Sequence, residues 1–128
     1  MRLCIVSETW LPEINGVAHT LARLSRELHQ QGIKIDLVRP RPAPLPGEQP
    51  VASRQVPVNA EMQVTPVSLP GYRDVQIGLA PPQRLQRFMQ ANSPDVVYLA
   101  TQGPLGWAAR QAARRLGIPL IAGWHTNF

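Results

Sequence analysis

The stretch "RLCIVSETWLPEINGVAHTLARLSRELHQQGIKIDLV", residues 2–38, decides the fold. Its first five residues, 2–6, form a short apolar run that reads as a buried strand. After a polar loop, Val17, Leu21, Leu24 and Leu28 recur at helical spacing with Arg23, Arg26 and Glu27 between them, the pattern of an amphipathic helix. Gly32 is placed to end that helix, because glycine takes the left-handed conformation without a steric penalty. "IKIDLV" (33–38) reads as a second strand. Strand, helix and strand in this order make a βαβ unit, and such units build a mostly parallel sheet.

The same alternation continues along the chain. "RPRPAPLPGEQP" (39–50) interrupts it: proline lacks an amide donor and fixes φ, so this segment is expected to be an exposed, extended loop. Between Val51 and Gly78 the strand signals are weaker, and one or two short strands near a sheet edge are expected. Pro81 and Pro82 suit a helix start, and Leu85, Phe88 and Met89 continue it as an apolar stripe. "DVVYLA" (95–100) reads as a buried strand. "GPLGWAARQAARRLG" (103–117) reads as a helix, alanine-rich on its packing face and closed by a glycine. "IPLIAGW" (118–124) reads as another buried strand. The expected architecture is α/β, an open and mostly parallel sheet with flanking helices. In such sheets ligands bind beyond the carboxyl ends of the strands. That rule selects the loops at 7–16, 39–50, 100–104 and 124–128.

Composition bounds the function. The chain has 128 residues, with 44% hydrophobic and 16% charged residues, and so belongs with single globular domains. No run approaches the roughly 20 apolar residues of a membrane span, and the start lacks the cleavage pattern of a secretory leader. Cys4, the one cysteine, is expected to be a buried small hydrophobe in a cytoplasmic protein. Net charge is +5, and Lys34 is the only lysine among the 13 basic residues. The arginines are scattered, and only Arg110, Arg114 and Arg115 cluster. Aromatic residues are not interleaved with them as single-stranded nucleic acid would require, so no nucleic-acid partner is expected.

The first loop, "SETWLPEINGV" (7–17), stands where a dinucleotide-binding fold would carry GxGxxG and a nucleotide hydrolase GxxxxGK[ST]; it carries neither. Asn15-Gly16 at a helix start leaves two readings. It is either a turn or a place where a ligand approaches the backbone near anion-attracting helix amides. Glu8 and Glu13 share this loop and are expected to be surface carboxylates. His125, followed by Thr126 and Asn127, ends the last strand and is suited to hydrogen bonding or proton transfer near neutral pH. His29 is expected at the surface, while His19 is compatible with either orientation. HExxH, CxxC, GxSxG and DxD motifs are all missing from the sequence, so no metal is expected.

With these residues in view, "IVSETWLPEINGVAHTLARLSRELHQQGIKIDLVRP" resembles the opening of family 4 glycosyltransferases, retaining enzymes of GT-B fold. "LPGYRDVQIGLAPPQRL" and "PDVVYLATQGPLGWAARQAARRLGIPLIAGWHTNF" resemble the segments that follow, in the same order. The resemblance implies the amino-terminal, Rossmann-like half of a two-domain enzyme, with a cleft between its halves. It implies that Asn15 and Gly16 lie near the donor diphosphate and transferred sugar. It further implies that His125 acts at the cleft by positioning or electrostatics rather than as a nucleophile, and that Gly103 and Thr126 line the acceptor side. The donor would be a nucleotide-diphosphate sugar, GDP-mannose or a UDP-hexose, used without cofactor or metal. The acceptor would be a lipid or glycan, with peripheral contact to the inner membrane face.

The resemblance also marks what this sequence does not contain. The carboxyl-terminal donor-binding domain, with its paired glutamates, is absent from residues 1–128, which are therefore expected to form one partial domain, inactive alone. An incomplete sheet predicts self-association through an exposed edge. The alternative is a non-catalytic α/β domain that binds a phosphorylated small molecule or a protein. A flavodoxin-like or regulator-type domain would need a phosphate loop or an acidic cluster at the strand ends, and neither is seen.

Overall fold

A computed structural model describes residues 1–8, 16–41, 58–69, 72–100 and 103–123. The elements run β1 (Arg2–Val6), α1 (Gly16–Gln30), β2 (Lys34–Pro40), β3 (Ala60–Leu69), β4 (Tyr72–Leu79), α2 (Pro82–Asn92), β5 (Val96–Leu99), α3 (Pro104–Leu116) and β6 (Leu120–Ala122). The six strands form one sheet in the order β4-β3-β2-β1-β5-β6. All neighbours are parallel except β3 and β4, which form an antiparallel hairpin.

Alternation along the central strands sorts side chains to two faces. Leu3, Ile5, Ile35 and Leu37 pack with Leu21 and Ala22 of α1. Cys4, Val6, Val38, Val97 and Leu99 pack on the other face, against Leu85 and Met89 of α2 and Leu105 of α3. Ala108, Ala109, Ala112 and Ala113 are buried, and their small side chains bring α3 close to the sheet. A Leu or Met buried to this degree contributes about 1.5–3 kcal/mol each. The chain moves from β1 to β2 in one direction across the sheet and from β5 to β6 in the other. The intervening helices α1 and α3 lie on opposite faces, as a single crossover hand requires.

Two helices end in the same way. Gly32 (φ 85°) donates to His29 O and Ile33 to Leu28 O; Gly117 (φ 69°) donates to Arg114 O and Ile118 to Ala113 O. These paired bonds cap the last carbonyls and turn the chain back toward the sheet. Pro82 and Pro104 open their helices at positions where a missing N–H costs nothing.

Three expectations need correction. The region from Ala60 to Leu79 holds two strands at a sheet edge, as expected, but they are long, 10 and 8 residues, rather than short. The proline-rich loop starts later than expected, because Arg39 and Pro40 are buried and finish β2; residues 42–50 lie outside the described residues. The last strand is not buried: β6 pairs only with β5, and Ile121 is 54% exposed. An apolar run reads alike in a central strand and at an edge, so periodicity does not separate them.

Candidate functional site

Between β1 and β5 the strand order reverses, and a crevice opens beyond the carboxyl ends of the strands at such a switch point. Ser7 and Glu8 follow β1 there, and Ala100 follows β5. Ser7 N–H donates to Val38 O and Ala100 N–H to Val6 O, which carries the sheet ladder to its last rung. Helix α1 starts at this edge with Gly16 and runs back to the opposite one, where Lys34 N–H donates to Met1 O.

The β3–β4 hairpin forms a side wall. Val64 pairs with Pro40, the last residue of β2, so 65–69 project past the carboxyl edge, paired to β4 alone. Gly78 of β4 comes down between Val64, Leu105 and Pro40, whose side chains would lie 2.7–3.2 Å from any Cβ placed on it. Its N–H donates to Glu8 Oε2 at 2.9 Å. Glu8 also lies against Gly103, the residue that precedes α3, where a Cβ would collide with the carboxylate. One half-buried carboxylate therefore touches the end of β1, the hairpin and the start of α3.

Glu8 is thus not the surface carboxylate expected from its loop position. Gly78 went unread as well, although a glycine inside a strand pattern often marks a close backbone approach. The other expected residues fall as follows. Gly16 and Gly103 both open helices at the carboxyl edge. Asn15, Glu13, His125 and Thr126 lie outside the described residues. His19 and His29 are exposed on α1. Among the described residues, no three His, Cys, Asp or Glu side chains come together as a metal group.

At the opposite, amino edge the charged groups are structural. Buried Asp36 accepts from Arg2 Nε at 2.7 Å and Nη2 at 2.8 Å, and Arg2 Nη2 also donates to Asn92 Oδ1 at 3.1 Å. The hydrogen bond to Asp36 raises the guanidinium pKa further. Burial, with the nearby Asp36 charge, pushes the Cys4 thiol up to about 12.

With this geometry described, similarity to known proteins can be placed on it. The family model for Glycosyltransferase Family 4 matches residues 14–128. The chain is 31% identical over 127 residues to the GDP-mannose-dependent alpha-mannosyltransferase of Mycobacterium tuberculosis, which covers 99% of this chain and 32% of that protein. It is 32% identical to the enzyme of the same name from Mycolicibacterium smegmatis, over 99% of this chain and 33% of that protein. The chain spans about a third of the length of these curated relatives. Its fold matches a glycosyltransferase structure from Rickettsia africae with a TM-score of 0.63 and 10% identity, over 99% of this chain and 30% of that one.

Proposed function

The chain belongs to Glycosyltransferase Family 4, and on that premise we propose that the whole protein is a retaining hexosyltransferase using GDP-mannose or a related nucleotide sugar. Its acceptor is a lipid or glycan, and this chain supplies the acceptor side of the cleft. The observation that carries the reading is similarity across 99% of the chain to two enzymes named GDP-mannose-dependent. A separate half of the protein holds the nucleotide. In this half, the amides at the start of α1 favour the negative donor diphosphate, with Asn15 and Gly16 beside it. His125 orients the transferred sugar and stabilises developing charge, and Gly103 and Thr126 line the acceptor side. The departing phosphate takes the acceptor proton, so no protein nucleophile is required. The chemistry is then mostly positioning and electrostatics.

The acceptor is reached from the inner membrane face of the cytoplasm. Supporting this, α2 and α3 pack together and contain no Asp or Glu, while Arg84, Arg87, Arg110, Arg114 and Arg115 are exposed, as is Trp107 at 58%. A basic surface gains about 1 kcal/mol per arginine near anionic lipid. Among the described residues no helix is long and apolar enough to cross a membrane.

Transfer is tested with the full-length protein, radiolabelled GDP-mannose, UDP-glucose and UDP-N-acetylglucosamine, and a panel of membrane lipids and oligosaccharides. The expected product carries mannose with its anomeric configuration retained. Donor binding without transfer to any acceptor would favour the non-catalytic binding domain instead.

A further inference from the structure

Glu8, at the end of a central strand, makes contacts to two elements distant in sequence. It lies at the switch point, one residue beyond Ser7, whose N–H makes the last sheet bond on that strand. Its partner, the Gly78 N–H, is 70 residues away in sequence. β4 ends the strand order, three strands away from β1, and its Gly78 stands in register with Pro66 of β3. The Glu8 carboxylate accepts that N–H across the ends of the intervening strands. On its other side it fills the space that a Cβ on Gly103 would occupy. Glycine at 103 is explained by this contact: its backbone, at φ −70° and ψ −163°, is extended and open to any residue.

We infer that Glu8 is a positioning residue for glycosyl transfer: through Gly78 and Gly103 it fixes the hairpin and the start of α3 against the end of β1, and so sets the shape of the acceptor side. The inference rests on the proposed transferase reading. Glu8 begins the loop that leads to Gly16, and Gly103 begins the helix on the neighbouring side of the switch point. A single carboxylate at the end of β1 therefore holds the hairpin and the start of α3 in register. A carboxylate suits this role because a hydrogen bond to a charged acceptor is about twice as strong as a neutral one. Gln has the same reach and retains an oxygen acceptor, whereas Ala removes both.

The test uses the full-length protein with Glu8→Ala, Glu8→Gln and Gly103→Ala, each checked for a cooperative melt. Amide exchange at Gly78 is read alongside the KM of each substrate. In Glu8→Ala, Gly78 exchange should accelerate, and the acceptor KM should rise about tenfold or more, the effect of one lost charge-assisted bond. The donor KM should stay within about twofold, since the other half of the protein holds the nucleotide. Glu8→Gln should restore most of both readouts, and Gly103→Ala should reproduce the alanine effect by pushing the carboxylate away. Unchanged Gly78 exchange in Glu8→Ala would overturn the inference. So would a Glu8→Gln protein that loses kcat as fully as Glu8→Ala with acceptor KM unmoved, because the carboxylate would then act in the chemistry itself. If the unmodified protein transfers no sugar, the transferase reading fails, and the exchange measurement still decides whether Glu8 holds the hairpin.

Discussion

A Cβ on Gly78 would lie 2.7 Å from Val64 Cγ2 and 3.2 Å from both Leu105 and Pro40, all parts of the packed wall. Val64 is β-branched and buried in a strand, so it has little freedom to give way. Gly78→Ala should therefore cost about 1–3 kcal/mol, the usual range for overpacking, seen as a lower urea midpoint with unchanged slope. Gly103 differs, because its obstacle is the end of the flexible Glu8 side chain. Gly103→Ala should cost little stability and show its effect at Gly78. Cys4 gives a second prediction at this scale. Burial raises its thiol from the ordinary 9.0 to about 12. Above pH 9 the unfolded thiol loses its proton while the folded one keeps it. The folded state then binds more protons, so stability should fall with rising pH above 9. Denaturant titrations at pH 8 and pH 10 measure that slope. At pH 8 Cys4 should react with a disulfide reagent only after unfolding.

At the scale of elements, what the sequence made legible follows from how each signal arises. The β1-α1-β2 unit reads cleanly because its strands are buried on both faces and its helix keeps one apolar stripe. Gly32 and Gly117 fall where positive φ is needed, and Pro82 and Pro104 fall at helix starts. The hairpin was harder to see. β3 alternates exposed Glu61, Gln63 and Thr65 with inward residues and contains Pro66, so its run of apolar residues is broken. Its length depends on pairing with β4, a tertiary fact. Glu8 was misread for a similar reason: its partner Gly78 lies on an element whose placement the local sequence does not fix. Helices α2 and α3 carry the membrane prediction. Arg110→Glu with Arg114→Glu should abolish flotation of the full-length protein with phosphatidylglycerol vesicles. Flotation of the unmodified protein should weaken as salt rises. Equal binding to neutral vesicles would contradict this.

Across the whole molecule, charge and packing divide the sheet into two ends. The amino edge is closed by the Arg2–Asp36 pair, with Asp36 fully buried. The carboxyl edge gathers the strand ends, the projecting hairpin and the helix starts. The central claim is that this carboxyl edge faces the reacting sugar. Amide exchange on the full-length protein, with and without GDP-mannose and acceptor, tests it most directly. Protection is predicted in 8–16, at Gly78, in 100–104 and in 123–128, with Lys34 and Asp95 at the amino edge unchanged. Protection confined to the amino edge or to the outer faces of α2 and α3 would contradict the account.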